Sequence, residues 1–350
     1  MRLSRPIALF AALSAALYAL ACSSETTETG ATAGPSKPNL GGCYPTDPKC
    51  TIAGSKCMAL TDVSNAKKKT LRISQLKVGK PSALASTTIN FTIIGPAVTI
   101  QDNEACHLRP GTKAGTFNWL MEFDLTDPAN ATLRTGGARP VKDPSAGFCF
   151  LTESIQGQSL APQTIKINYE ASTGKFSTGE GKALTVPIFL DQAGATVPIL
   201  LPLQGVKITN GTLTENGNCI GRFRGETGEL DSDCQTTSSM PTDPQAFQFE
   251  KGADLEGYIT AEEADKVKIV DLSQSLCSFL SNTRETCPDD SSYKCCRRGT
   301  DGKIDFTGAS GKPDFSSATQ ASCSGTADCD AYLLGTELSA ASVKINDSCN

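Results

Sequence analysis

Runs of alternating apolar and polar residues dominate the chain from residue 70 onward. In the clearest run, 117–125, every second residue is apolar. Because successive side chains of a strand point to opposite faces, these apolar residues are predicted to face a core. Similar runs predict strands at 71–78, 88–100, 147–155, 164–169, 183–190 and 196–203. Short strands separated by turn residues are typical of an antiparallel β-sandwich of the jelly-roll or concanavalin-like type, the mainly β fold that we expect.

One helix is predicted to interrupt the strands. Thr260-Ala261-Glu262-Glu263 is a capping box, in which the Thr hydroxyl and the Glu263 carboxylate satisfy free backbone donors at a helix start. An apolar stripe extends this prediction to about Ser281. The segment 282–329 is rich in Cys, Gly, Asp and Ser, which predicts a region that depends on disulfides more than on a core. Residues 331–345 are strand-forming again.

The dipeptide Asn210-Gly211 predicts a hairpin. It lies between two strand-forming runs, 206–209 and 212–214. Asn-Gly is favoured in two-residue hairpin turns because both turn positions need positive φ.

The N-terminal residues have the three parts of a secretory signal. Arg2 and Arg5 precede an apolar run at 7–20, and Ala-Leu-Ala ends at Ala21. Fourteen helical residues at about 1.5 Å each are too short to cross a hydrocarbon core of about 30 Å, so 1–21 is predicted to be a removable signal peptide. Residues 23–42 contain one large aliphatic side chain, Leu40, and are predicted to form a disordered tether.

The sequence Ala19-Leu20-Ala21-Cys22 resembles the lipobox of bacterial lipoproteins. The resemblance implies cleavage before Cys22, acylation of its thiol and amine, and attachment to a membrane through that lipid. Ala19 replaces the commoner Leu, which leaves a soluble product as the alternative. Ser23 is not Asp, which in Gram-negative lipoproteins implies transport to the outer membrane, on its periplasmic or outer side.

The cysteines are predicted to form disulfides. The chain has 15 Cys, and lipidation of one leaves an even set, as expected of an exported protein. The adjacent pair Cys295-Cys296 is predicted to bond to different partners. Zinc is disfavoured because the spacings do not fit a zinc module and His107 is the single histidine. The predicted disulfide cysteines are Cys43, Cys50, Cys57, Cys106, Cys149, Cys219, Cys234, Cys277, Cys287, Cys295, Cys296, Cys323, Cys329 and Cys349.

The predicted organisation has five parts. They are a signal peptide (1–21), a lipidated tether (22–42), a β-sandwich domain (43–259), a helix with a Cys-rich insertion (260–330) and one or more terminal strands that return to the sandwich (331–350). The stretches at 115–138 and 217–221 are similar to uncharacterised Cys-rich lipoproteins of myxobacteria. That resemblance implies a compartment and a lineage, and it implies no chemistry.

One strand offers candidate catalytic carboxylates. Glu122 and Asp124 lie two residues apart after Trp119, which places them on one face of a strand. The run resembles the Glu-x-Asp-x-x-Glu strand of sandwich glycoside hydrolases of the laminarinase type, which implies a nucleophile and an acid. The resemblance breaks at Asp127, because the family has Glu there and Asp127-Pro128 starts a turn. A solvent-facing strand surface is the simpler interpretation.

Other candidate sites are weaker still. Asp301 and Asp305 flank Gly302 as in the centre of an EF-hand, but Arg297 and Gly308 stand where acidic ligands are needed, so calcium is only a generic possibility and no other cofactor is indicated. Trp119 alternates with core positions, which favours a core role over sugar stacking.

Composition excludes one class of partner and leaves others open. The net charge is −5, so the chain has no excess of basic residues for nucleic acid. The lipobox resemblance and the predicted disulfides lead us to expect a lipid-anchored envelope protein that is a binding or structural module for a protein or glycan partner. The alternative is a glycan hydrolase or glycan-binding protein using Glu122 and Asp124.

Overall fold

The alternating runs form one large antiparallel sheet. The computed structural model describes residues 44–45, 58–59, 61–86, 89–90, 94–98, 116–141, 146–179, 181–189, 198–215, 217–223, 249–250, 252–314 and 330–348. The sheet strands are β1 (Lys68–Lys80), β2 (Asn118–Asp124), β3 (Thr132–Ala138), β4 (Gln163–Glu170), β5 (Lys175–Thr178), β6 (Lys182–Ile188), β7 (Ile199–Thr209), β8 (Gly211–Thr212), β9 (Cys219–Ile220), β10 (Ala253–Thr260) and β11 (Ala331–Ser342). This confirms the mainly β, antiparallel fold.

The sheet curls until its two ends meet. Its strand order is β6-β7-β10-β11-β1-β2-β3-β4-β5-β8, with β9 also paired to β11. Strand β8 follows β7 after the single residue Asn210, so one continuous segment pairs with β10 near one end of the order and with β5 at the other. The hydroxyl of Thr178 accepts a hydrogen bond of 2.8 Å from the Ile208 amide where the ends meet. The C-terminal strand β11 lies in the middle, between β10 and β1.

The inner face of the curled sheet holds the main core. Met121, Phe123 and Leu133 are fully buried there, and the rings of Phe123 and Phe176 pack edge to face at 5.0 Å. Trp119 belongs to the same cluster. The alternation that predicted the inward face of β2 is therefore confirmed, and apolar burial on this face is the main source of stability.

A loop covers part of the opposite face of the sheet. Residues 146–151, which we call the strap, contribute Phe148 and Phe150 to a second cluster with Leu120 and Val343. Phe148 donates a backbone hydrogen bond to Lys344, and the rest of the strap crosses the sheet with no regular pairing. The predicted strand at 147–155 is therefore wrong except at its end, in the short pair Ser154–Ile155 and Gln158–Ser159.

Two further predictions are corrected by local geometry. The run 88–100 is not a continuous strand, because Gly95–Val98 forms a short helix, α1, whose second residue is a proline, a residue compatible with a first helical turn. Asn210-Gly211 does not form a hairpin, because only Asn210 has positive φ and the chain continues from β7 into β8. Gly211 is required there, since a Cβ would collide with the Phe176 ring.

The predicted helix divides into two short ones. Helix α2 (Ala261–Lys266) begins at Thr260, whose hydroxyl accepts from the Glu263 amide at 3.1 Å. It ends at the segment 267–270, in which three of four residues are β-branched, because such residues disfavour helix. Helix α3 (Leu276–Ser281) has its own cap, Ser275. The short strands Lys268–Ile269 and Gln274–Ser275 lie between them, and they form a small sheet with Glu285–Thr286 and Lys294–Cys295, which follow α3.

The remaining short elements are local. They are two 3-10 turns, Pro128–Asn130 and Val270–Leu272, and the strand pairs Tyr44–Pro45 with Met58–Ala59 and Arg222–Phe223 with Phe249–Glu250. In the described part of the chain, no helix has the length and apolar character needed to cross a bilayer.

Two disulfides cross-link the region around the helices. Cys277 bonds to Cys296 and Cys287 bonds to Cys295, and all four are buried. The adjacent Cys295 and Cys296 thus have different partners, as predicted. Cys149 and Cys219 are disulfide-bonded as well. Cys22, Cys43, Cys50, Cys57, Cys106, Cys234, Cys323, Cys329, Cys349 and His107 lie outside the described residues.

Removal of either cross-link is expected to destabilise the protein, slightly more for the longer of the two loops, because the entropy of loop closure grows with the logarithm of loop length. The pair Cys277–Cys296 spans 19 residues and Cys287–Cys295 spans 8. Loop-closure entropy gives about 3 and about 2.5 kcal/mol for the paired serine variants. Urea unfolding of Cys277→Ser/Cys296→Ser and of Cys287→Ser/Cys295→Ser checks this order. Equal midpoints for wild type and both variants would contradict it.

Candidate functional site

A pocket opens on the inner side of the curl, where β3 approaches β6 and β7. Its volume is about 420 Å³, within the range of about 300–1,000 Å³ that is typical of small-molecule sites. We call it the Trp119 pocket. Strands β2, β3, β4, β6 and β7, the segment 158–161 and helix α2 all contribute to its lining. The close approach of β3 depends on Gly137, because a Cβ there would collide with Pro187 of β6.

The pocket has an apolar floor and a polar rim. The floor is buried and is formed by Trp119, Leu160, Leu184 and Leu203, with the hydroxyl of Thr135 beside them. The rim is exposed and carries the amides of Gln158, Gln163 and Gln204 and the hydroxyl of Ser159. A second cavity, about 500 Å³ in volume, is bounded mostly by exposed side chains of β4, β5 and β8, so it has less of a built floor.

The rim amides make only long contacts with their neighbours. Gln158 Oε1 accepts from Thr185 at 3.4 Å, Gln163 Nε2 donates to a backbone carbonyl at 3.5 Å, and Gln204 Oε1 accepts from the Tyr258 hydroxyl at 3.5 Å. Each amide has two donors and a carbonyl acceptor, so most of this hydrogen-bonding capacity remains available to a ligand.

The charge in the pocket is confined to one carboxylate. Glu263 is the only ionisable side chain among the described lining residues. Its Oε1 lies 2.6 Å from Nζ of Lys266, so its charge is partly offset within helix α2. The pocket therefore presents hydrogen-bonding groups and apolar surface, with no concentrated field of either sign.

The predicted carboxylates lie elsewhere, on the sheet face opposite the main core. Glu122 and Asp124 share this face of β2, as their spacing predicts, and neither lines the two cavities described above. Glu122 Oε1 is 3.0 Å from Nζ of Lys68. Asp124 accepts from the Thr126 amide, and hydrogen bonds from Thr126 lower the pKa of Asp124. Both carboxylates are thus engaged by local partners.

Asp127 caps a turn after β2. It accepts from the Ala129 amide and from the Asn130 side chain, and the latter bond is the main cause that lowers the pKa of Asp127. This agrees with its prediction as the start of a turn off the strand.

A buried carboxylate that the sequence analysis missed lies between the two helices. Asp265 is 6% exposed and accepts from the Ser275 hydroxyl and the Cys296 amide, both at 2.7 Å. Its other oxygen is 3.0 Å from Arg298, which also binds Glu262. These bonds, led by the one to Glu262, raise the pKa of Arg298. The sequence offered one signal for this buried carboxylate. Asp265 follows the apolar Ala264 in a short helix, and such a helix must bury one of its faces.

The two carboxylates predicted as calcium candidates have local partners. Asp301 Oδ1 accepts from the Lys303 amide, while Asp305 is bound to Arg297 at 3.1 Å and accepts from the Thr307 amide. The described residues contain two clusters of potential metal ligands, built from Asp265 and Asp289, and in each the other two members are disulfide-bonded cysteines. A sulfur in a disulfide is not the thiolate that a metal needs.

No protein-family model, curated protein or solved structure matches the chain.

Proposed function

We propose that the chain is an exported envelope protein, anchored by lipid on Cys22, whose curled β body is a binding module for a glycan or protein partner. The observation that supports it most is the oxidised state of the cysteines. The Cys277–Cys296 and Cys287–Cys295 bonds are buried in the fold. Disulfides of this kind persist in exported proteins and are rare in the cytosol.

The anchor follows from the N-terminal sequence. A basic, apolar and small-residue leader ends at Cys22, and the next 20 residues have the composition of a flexible tether. Such a coil spans roughly 25 Å, which is enough to hold a domain away from the lipid surface. Because residue 23 is Ser and not Asp, we propose that the membrane is the outer membrane.

A binding role fits the pocket better than hydrolysis fits the sheet face. The Trp119 pocket combines a buried apolar floor with available amides, which is the usual composition of a ligand site. Glu122 and Asp124 are instead tied to Lys68 and to the Thr126 amide. A pocket for a ligand and a tether to a membrane together describe a surface or periplasmic binding lipoprotein.

The anchor is tested by expressing the full chain in a Gram-negative host. We expect intact-mass analysis to show loss of residues 1–21 and addition of acyl chains, with the protein in the membrane fraction. Cys22→Ser should abolish acylation and release the protein, whereas Ser23→Ala should keep the lipid. An unacylated, soluble wild-type chain would overturn the proposed anchor, and free thiols at Cys277 or Cys287 would overturn the proposed compartment.

A further inference from the structure

The Trp119 pocket has the chemistry of a site for an uncharged, hydroxyl-rich ligand. Its rim offers three amides, each of which both donates and accepts hydrogen bonds. A sugar hydroxyl also donates and accepts hydrogen bonds. Each rim amide can therefore pair with a sugar hydroxyl whichever of the two groups is the donor.

The floor adds two features that favour a sugar ring. It provides apolar surface from Leu160, Leu184 and Trp119, against which the C–H face of a ring can pack. Trp119 is 6% exposed, and no described residue accepts a hydrogen bond from its indole N–H, so this donor is the second feature.

The electrostatics select against charged ligands. A phosphate or carboxylate ligand is normally met by Arg or Lys, and the described lining contains neither. A cationic ligand would need an unengaged carboxylate, but Glu263 is paired with Lys266 at 2.6 Å. The volume of about 420 Å³ suits a ligand of one or two sugar rings.

We propose that the Trp119 pocket binds a short neutral saccharide, as a monosaccharide or as the end of a longer glycan. This assignment deepens the proposed function and rests on it for its biological setting. The binding chemistry itself depends only on the pocket. Gln163 and Gln204 then act as direct hydrogen-bonding partners of the ligand from two different strands, β4 and β7.

The chain supplies its own reporter for this binding. Trp119 is the single tryptophan in the sequence, so the whole indole emission comes from the pocket. The experiment is a fluorescence titration of the full chain with cellobiose, laminaribiose, maltose and N,N′-diacetylchitobiose, and with glucuronic acid and glucose 6-phosphate as charged probes. We expect a saturable change with at least one neutral sugar and none with the charged probes.

Variants of the exposed rim identify the site without disturbing the core. Gln163→Ala and Gln204→Ala are each expected to weaken binding about 5- to 10-fold, the equivalent of one lost hydrogen bond. Thr164→Ala, an exposed change on the same strand outside the pocket, should leave the affinity unchanged.

Three results would overturn the assignment. They are the absence of a saturable response to every neutral sugar, a response confined to the charged probes, and neutral-sugar binding that neither glutamine variant weakens. None of these depends on acylation of Cys22, so failure here is distinguishable from failure of the proposed anchor.

Discussion

Replacement of Asp265 by alanine is expected to lower the free energy of unfolding by about 3–5 kcal/mol. The carboxylate accepts hydrogen bonds from Ser275, from the Cys296 amide and from Arg298 in a buried site between α2 and α3. Its removal leaves a buried hydroxyl and a buried amide without an acceptor, and both losses fall on the same small region. Urea unfolding followed by circular dichroism measures the effect.

The matched control is the other carboxylate bound to the same arginine. Glu262 pairs with Arg298 at 2.9 Å, but its side chain is 47% exposed. An exposed pair of this kind contributes about 0–1 kcal/mol, so Glu262→Gln should be nearly silent. Asp265→Asn should fall between the two, because an amide oxygen can replace only part of the acceptor capacity. Equal urea midpoints for Asp265→Ala and Glu262→Gln would contradict the claim that burial makes Asp265 contribute more than Glu262 to the free energy of unfolding.

The strands were predictable because one periodicity determines them. Alternation in 117–125 correctly placed Met121 and Phe123 inward, and the strand-forming run at 331–345 corresponds to β11. The predictions failed where one local sequence pattern is compatible with two different structures. Asn210-Gly211 marks a change of direction, but only the closing of the sheet on β5 decides that the chain bends and does not turn back.

The helix prediction failed for a related reason. The apolar positions of 264–280 are compatible with one helix, and most of them lie in or against the main cluster, but Val270 and Leu272 are exposed. Two caps, Thr260 and Ser275, and a mostly β-branched stretch between them divide the segment. The second cap was visible in the sequence, whereas its effect depends on the disulfides and on Asp265 in the folded region.

The candidate site was not predictable from local pattern. The lining of the Trp119 pocket comes from segments between residues 119 and 263, which meet only because the sheet curls. The alternation in 117–125 places Trp119 in the core, and in the structure Trp119 lies both in the core and at the floor of a pocket. Glu122 and Asp124 resemble a catalytic motif because two carboxylates lie two residues apart on one strand, and this spacing does not indicate which face of the sheet is concave.

Arg72 is a buried charged residue whose burial could not be predicted from the sequence. It occupies a polar position of β1, which alternation assigns to solvent, yet it is 1% exposed. The strap covers it, with Phe148 stacked 5.6 Å from the guanidinium. Arg72 donates to Asn118 Oδ1 at 2.6 Å and to the carbonyl groups of Val98 and Phe117. Burial lowers the pKa of Arg72 to about 9, which leaves it charged at neutral pH.

Arg72→Met is therefore expected to lower the free energy of unfolding by about 3–4 kcal/mol, since several buried acceptors lose a charged donor at once. Arg72→Lys should recover little, because one ammonium cannot reach acceptors that a planar guanidinium spans. Arg134 is the matched control. It stacks on Phe150 of the same strap at 4.5 Å but is half-buried, so Arg134→Met should cost about 0.5–1 kcal/mol.

Hydrogen exchange adds a readout of where the stability is lost. In Arg72→Met the strap amides should exchange faster together with those of α1 and the start of β2, because Arg72 joins the three segments through Phe148, Val98 and Asn118. In Arg134→Met the change should stay within the strap. Equal exchange profiles in the two variants would mean that the strap, and not the buried guanidinium, holds this face of the sheet together.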